Sequence, residues 1–346
     1  MKPFTVTFCV PTYNRLPFLK KTLESILKLE GISDWDYKII VSDDSTNEHT
    51  AEYINSVKLD RLIYVRNPNK GQFENINHIF SLDLGELAVI VHDDDLLEQD
   101  YLTYLKLLYT QHADAHVMYS SRNTIDVEGK PLSTVAPVSE PIVIASGAEL
   151  ADYTGFGKCP PQYPFVVLPM VTGLAFRTSL LKKVGEVDSS LYVNADSLLL
   201  IKLLFYSAKV MYVRNPLVSY RVLDISERSR PAKEGKVFSE MEKLLLKMLE
   251  FYKENMPEQE YNHFAIRKEA EFVEFNSTIN APLLWTALRY TSGYANRVVI
   301  QVSIFSYVVS RAPRLLIASP VVLLLLISLF PQSILNYLYK VYMKCS

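Results

Sequence analysis

The sequence predicts an α/β fold: a mainly parallel sheet flanked by helices, followed by a helical and increasingly apolar C-terminal region. Three observations predict it. Over roughly the first 120 residues, short runs rich in Val, Ile and aromatic residues alternate with helical patterns. Those runs are apolar almost throughout, as strands buried on both faces must be, and their spacing fits βαβ units. Beyond Glu274, finally, no Asp or Glu occurs at all.

Element by element, Phe4–Val10, Tyr37–Ser42, Arg61–Val65 and Leu87–Val91 read as strands. Helices are expected near Pro17–Leu29, Glu48–Val57 and Gln72–Leu82, with Pro17 in a first turn, where a missing N–H does no harm. Residues 121–170 read as irregular and hold many of the prolines. A strand Val171–Arg177, a short helix Ser179–Val184, a helix from Asn194-Ala-Asp196 to about Ser207 and a strand Lys209–Val213 follow. Residues 236–255 and 260–276 have the pattern of two amphipathic helices. The expected division is residues 1–235 as a catalytic domain, in halves 1–120 and 121–235, and 236–346 as a helical region.

In that last region only Arg289, Arg297, Arg311, Arg314, Lys340 and Lys344 carry charge after Phe275, which suits an anionic membrane leaflet. Leu315–Phe330 is an uncharged run of about 24 Å as a helix, short of the roughly 30 Å hydrocarbon layer. After Pro331, the residues Ile334, Leu335, Leu338 and Val341 share an apolar face with Tyr337 and Tyr342. Residues 298–343 are therefore expected to attach the chain to a membrane surface as a monotopic or re-entrant anchor. A single span, or a buried core or dimer helix, are the alternatives.

Composition removes other classes. The 346 residues are 49% apolar, enough for a large core, and 36 Lys+Arg against 38 Asp+Glu give a net charge of −2. No basic excess exists to neutralise phosphates, so nucleic acid is not an expected partner. Cys9, Cys159 and Cys345 are scattered and odd in number, which points to a reducing compartment. The chain enters a strand at Phe4 without a basic leader or cleavage site, and the catalytic part is expected to remain cytoplasmic.

Ligands of parallel sheets bind beyond the carboxyl ends of the strands. Four polar clusters fall there. Val89-Ile-Val-His-Asp-Asp-Asp95 runs a buried strand into Asp93, Asp94 and Asp95. Three adjacent carboxylates call for a hard cation such as Mg2+ or Mn2+, or else they begin a helix with Asp95 as its cap. Ile39-Ile-Val-Ser-Asp-Asp-Ser45 offers Asp43 and Asp44 as acceptors for a base or ribose, or as caps. Pro11-Thr-Tyr-Asn-Arg15 is a donor loop or an ordinary turn. Asn67 to Asn77 breaks at Gly71 before a helix whose face carries Asn75.

In this order the clusters resemble family 2 glycosyltransferases, which have the GT-A (Rossmann-like) fold. Pro11-Thr-Tyr-Asn-Arg15 matches that family's opening motif, Ser42-Asp-Asp-Ser-Thr46 its nucleotide loop, Asn69-Lys-Gly71 its helix start and His92-Asp-Asp-Asp95 its DXD metal motif. The likeness continues through Thr172-Gly-Leu-Ala-Phe-Arg177, Asn194-Ala-Asp196 and Pro216-Leu-Val-Ser-Tyr-Arg221, so it covers residues 4–225. It departs at His92, where the first acid of the DXD motif is expected, and at Ala195, where the family often has Glu before its aspartate.

The resemblance implies a metal-dependent, inverting transfer of a sugar from a nucleotide-diphosphate sugar onto a lipid-linked or oligosaccharide acceptor. The setting it implies is polysaccharide or O-antigen assembly on the cytoplasmic side of the inner membrane. It assigns Mg2+ or Mn2+ to Asp94 with Asp95, and the catalytic base to Asp196, which otherwise caps a helix. Donor contacts fall to Pro11, Thr12, Tyr13, Asn14, Arg15, Asp43, Asp44, Lys70, Gly71, Asn75 and Asp93, and acceptor contacts to Thr172 and Gly173. Arg15, Lys70 and Arg221 contact phosphate or acceptor, or are solvated surface charges. A sugar-phosphate nucleotidyltransferase would need a Gly-rich loop where Pro11–Arg15 stands. An inactive membrane-bound scaffold would not need the aspartates.

Overall fold

The computed structural model describes residues 4–67, 70–154, 170–191, 194–223, 237–269 and 271. Within them the chain forms two compact units, Met1–Glu250 and Phe251–Ser346. The division falls inside a helix rather than at residue 235.

The first unit is built on one ten-stranded sheet. Its first half follows the expected alternation: β1 (Phe4–Thr12), α1 (Leu16–Leu27), β2 (Trp35–Asp43), α2 (His49–Ser56), β3 (Leu62–Arg66), α3 (Gln72–Phe80) and β4 (Leu87–Ile90). Pro17 lies in the first turn of α1, and Leu19, Leu23 and Ile26 bury one stripe of that helix against the sheet. The strands lie in the order β3-β2-β1-β4, each pair parallel. All four carboxyl ends therefore leave the sheet at one edge, and the four polar clusters start there.

The second half differs from the sequence reading. After β5 (Leu96–Leu97) and α4 (Tyr101–Gln111) come β6 (Ala115–Ile125), β7 (Pro131–Ser133), β8 (Ile142–Ser146) and α5 (Gly147–Thr154). Residues 121–154 thus hold the end of β6, two further strands and a helix, joined by short loops, and are not irregular throughout. Then follow β9 (Leu174–Arg177), α6 (Leu181–Val184), α7 (Ala195–Phe205) and β10 (Lys209–Arg221). Here the sheet is mixed: β9 runs antiparallel between β4 and β6, while β6 and β10 are parallel. β10 is thirteen residues long and passes through Pro216 at a register irregularity, the position where a strand tolerates a missing N–H.

The helix-cap alternative for Asp95 is wrong. The acidic triplet is followed not by a helix but by β5, which pairs antiparallel with Val218–Ser219 of β10; α4 starts at Tyr101, with Asp100 as its cap position. The triplet is consequently strapped at both ends, by β4 and by β5. α7 is apolar on nearly every side, with Leu198, Leu199, Leu200, Ile201, Leu203 and Leu204 all buried.

A further helix, α8 (Val237–Asn255), is followed by a helix from residue 258. In the second unit Tyr252 stacks on Phe264 with ring centroids 4.0 Å apart. The expected membrane segment 298–343 lies outside the described residues. Among the described residues no helix is long and apolar enough to cross a membrane.

Candidate active site

At the end of β1, Thr12 is buried and its hydroxyl donates to Asp93 Oδ2 at 2.7 Å; the Tyr13 amide reaches the same oxygen at 3.4 Å. Pro11 is buried in the strand, while the Tyr13 ring is 51% exposed over the edge. Asn14 has φ 53°, a left-handed turn that short polar side chains tolerate. Its side-chain oxygen accepts from the Thr46 amide at 3.1 Å and from Asn47 Nδ2 at 2.8 Å, which ties the first loop to the second. Arg15 is ion-paired rather than solvated: Nη1 lies 2.9 Å from Asp94 Oδ2 and 3.5 Å from Asp93 Oδ1.

The second loop separates its two acids. Asp43 is fully buried and accepts from the Ser45 amide, the Tyr64 hydroxyl and Arg66 Nη1, each at 2.8 Å. Asp44 instead receives the amides of Lys70 and Gly71 at 2.6 and 2.9 Å. It thereby fixes the start of α3, where Gly71 takes φ 90°. Asn75, expected to contact the donor from the face of α3, is buried; its amide nitrogen donates to the carbonyls of Ser42 and Thr12 at 2.8 and 3.4 Å. It binds two strand ends together and offers no free polar edge to a donor.

The triplet after β4 sits between these loops and β10. The Thr22 hydroxyl of α1 lies 2.9 and 2.8 Å from the carbonyls of Asp93 and Asp95, a contact with no signature in the sequence. Burial raises the carboxyls of both Asp93 and Asp95 to about 6; for Asp93 the neighbouring Asp94 adds to the rise, whereas for Asp95 the charge of His92 opposes it. His92, Asp94 and Asp95 bring one ligand atom each within 4.8 Å of one another. His92 thus joins the acidic cluster, and its Nδ1 stands 3.9 Å from Asp95 Oδ2. Among the described residues, two atoms of the cluster, His92 Nε2 and Asp95 Oδ2, are buried without a hydrogen-bond partner. A protein seldom leaves such atoms unmet unless something else binds them.

Arg221 is no surface charge: at 1% exposure it is among the largest fully buried side chains. Its amide donates to Asp95 Oδ1 at 2.7 Å, its Nε to the Asp94 carbonyl at 2.8 Å, and its Nη1 to the carbonyls of Asp126 and Val127 at 2.9 Å. The last residue of β10 therefore pins the triplet in place. Thr172 is buried behind it, and its hydroxyl accepts from the His92 amide at 3.2 Å. Gly173 takes φ 71°, and a Cβ there would stand 2.2 Å from Val218 Cγ2. It is a close-packing glycine beneath the triplet and has no surface to give an acceptor.

Asp196 lies at the start of α7, with Oδ1 accepting from its own neighbour, the Ser197 amide, at 2.7 Å. Desolvation raises its carboxyl above the ordinary range, and the charge of His92 reaches it and works the other way. His92 and Asp196, more than 100 positions apart in sequence, thus interact electrostatically.

Residues 7–139 match the family described as glycosyl transferase family 2. A segment of 116 residues is 33% identical to abequosyltransferase RfbV of Salmonella typhimurium, covering 32% of this chain and 34% of the relative. The chain so matches about a third of that protein's length. In three dimensions it is similar to S. aureus TarS 1-349, with a TM-score of 0.59 and 14% identity over 90% of this chain and 82% of that one. TarS 1-349 in complex with UDP-GlcNAc gives a TM-score of 0.61 over the same 90% and 82%. At that identity the likeness is one of fold, and the fold is GT-A.

Proposed function

From a chain whose residues 7–139 form a family 2 glycosyl transferase domain, we propose a glycosyltransferase that moves a sugar from a nucleotide-diphosphate sugar to an acceptor hydroxyl with inversion. The acceptor is lipid-linked or an oligosaccharide, and the setting is bacterial cell-surface polysaccharide or O-antigen assembly at the cytoplasmic face of the inner membrane. One observation carries the reading: four polar loops leave adjacent parallel strands at one edge and surround an acidic cluster that includes His92, whose charge reaches Asp196. The names of the relatives agree with it, since TarS has been crystallised with UDP-GlcNAc and with UDP, and RfbV is an abequosyltransferase.

The donor rests on the loops after β1, β2 and β3. Tyr13 presents an exposed ring on which a nucleobase can stack, and Lys70 is an exposed cation at the start of α3. His92, Asp94 and Asp95 fit Mg2+ or Mn2+, because carboxylate oxygens select hard cations and the unmet Asp95 Oδ2 and His92 Nε2 belong to that set. Such an ion, when bound, neutralises charge on the departing diphosphate. In the displacement, the acceptor oxygen bonds to the anomeric carbon as the carbon–phosphate-oxygen bond breaks. The electron pair leaves with the diphosphate, and the hydroxyl proton goes to Asp196. Desolvation makes Asp196 a stronger base than a solvated carboxylate, as a proton acceptor working near neutral pH requires.

The test is a screen of nucleotide sugars, UDP-GlcNAc among them, for Mn2+-dependent hydrolysis and transfer. Asp94→Ala is expected to abolish metal-dependent donor binding. Asp196→Asn is expected to keep donor binding and to slow transfer by about 100-fold or more. Wild-type transfer by Asp196→Asn removes the base assignment, and undiminished metal-dependent binding by Asp94→Ala removes the metal assignment.

A further inference from the structure

We propose that His92 binds the divalent cation directly through an imidazole nitrogen and so makes the site select Mn2+ and later transition ions over Mg2+. The inference deepens the glycosyl-transfer reading and rests on it. The family motif leads one to expect an acid at this position, and the chain carries an imidazole instead. Backbone bonds fix its place: the His92 amide donates to the Thr172 hydroxyl and the His92 carbonyl accepts from the Asp95 amide, each at 3.2 Å. That tight turn brings the side chains of His92 and Asp95 together just beyond β4. His92 Nδ1 stands 3.9 Å from Asp95 Oδ2, too far for a hydrogen bond. Two ligands of one ion, each bonded at roughly 2.0–2.2 Å, lie up to about 4.2 Å apart, so this gap has the width of a cation.

Asp95 is the second, independent observation. The residue is fully buried; its Oδ1 accepts from the Arg221 amide at 2.7 Å, while Oδ2, among the described residues, has no hydrogen-bond partner. A buried carboxylate oxygen without a donor is costly, and the group this one faces is the imidazole. His92 Nε2 is likewise buried and unmet among the described residues. Asp94 adds a third ligand atom within 4.8 Å of the other two. Arg15, which pairs with Asp94, is 38% exposed and can turn outward into water. An oxygen-only set suits Mg2+, which prefers carboxylates and keeps several of its waters. An imidazole in place of a carboxylate removes one negative charge and supplies a softer nitrogen, a donor whose affinity rises from Mn2+ to Fe2+ to Co2+. The departure from the acidic motif at His92 is therefore a choice of metal rather than a loss of it.

Mn2+ is added to the full-length chain in nitrogen-free buffer, alone and with inorganic pyrophosphate, which itself holds no nitrogen, and electron spin echoes are recorded. Modulation by a directly bound imidazole nitrogen is expected in wild type and is expected to vanish in His92→Asp. Calorimetric titrations with the metals alone are expected to give affinities rising from Mg2+ to Mn2+ to Co2+, with Mn2+ about tenfold or more above Mg2+. In His92→Asp, which restores the oxygen-only set, the Mn2+/Mg2+ ratio is expected to fall by about tenfold through tighter Mg2+ binding. Should His92→Asp fail to fold, His92→Asn gives the same two readouts with an uncharged oxygen donor, and the wild-type spectrum decides alone if neither folds. Wild-type echoes without nitrogen modulation, modulation that persists in the variant, an unchanged Mn2+/Mg2+ ratio, or no Mn2+ binding under either condition overturns the inference. The transfer reading fails separately, if the wild type neither hydrolyses nor transfers from any nucleotide sugar with any of the three ions.

Discussion

Asp93 and Asp95 carry the electrostatic cost of the site. Both carboxyls rise from 3.8 to about 6 on burial. A carboxyl raised in this way adds stability that is complete below its unfolded pKa and is lost as pH rises through the folded one. Near neutral pH the protein therefore holds two ionised, desolvated carboxylates, and a cation beside them offsets that cost. Below about pH 6 protons compete with the cation for the same oxygens. Saturating Mn2+ is thus expected to raise the melting temperature more at about pH 7.5 than at about pH 5. Equal increments in a thermal-shift assay would separate these carboxylates from the metal. Arg15 occupies Asp94 in the meantime as a half-exposed ion pair. Removing a competitor of roughly 1 kcal/mol should tighten Mn2+ binding to Arg15→Gln by about fivefold. A calorimetric titration showing weaker binding would mean that Arg15 supports the cation instead.

At the scale of elements, the acidic loop is rigid because four elements hold it: β4 and β5 at its ends, α1 through Thr22, and β10 through Arg221. The tightest point of that packing is Gly173 against Val218. Gly173→Ala is expected to cost about 2–4 kcal/mol, from a Cβ with no room and a backbone in the left-handed region. Trimming the neighbour removes the overlap but not the backbone strain. In a Val218→Ala background the same change should therefore cost only about 1 kcal/mol in chemical denaturation, and an undiminished cost would place the clash elsewhere. The elements that were hardest to read lie on the site-facing half of the sheet. β6 carries His116, Ser120, Arg122 and Asn123 and so lacks the apolar run by which β1, β2 and β4 are recognised. β10 contains Asn215-Pro216, which reads as a chain break until the irregularity at Pro216 is seen.

For the whole molecule, the acid-free stretch after Phe275 bears on where the proposed transfer takes place. Its six basic residues among apolar ones favour an anionic surface. The full-length chain should co-sediment with vesicles containing phosphatidylglycerol, less so with neutral phosphatidylcholine vesicles, and should be partly released at high salt. Equal recovery in the supernatant with both vesicle types at low salt would remove the membrane-surface proposal. The proposed acceptor follows from that proposed placement only indirectly, because attachment to a membrane would bring the site near lipid-linked glycans without touching one.

The sequence by itself determined the parallel half of the sheet and the four polar loops at its edge, because apolar strands and turn residues are local patterns written in consecutive residues. It also supplied Asp94 and Asp196 as candidates through the order of motifs. Only the tertiary structure decided which of these polar side chains are spent inside the protein. Asn75 and Asp43 became struts, Gly173 a packing contact and Arg221 a buried pin. The same packing brought His92 into the acidic cluster. The physical reason is that a residue's partners and solvation are set by strands far away in sequence: the carboxylates after β4 are held by the end of β10, more than 120 residues later.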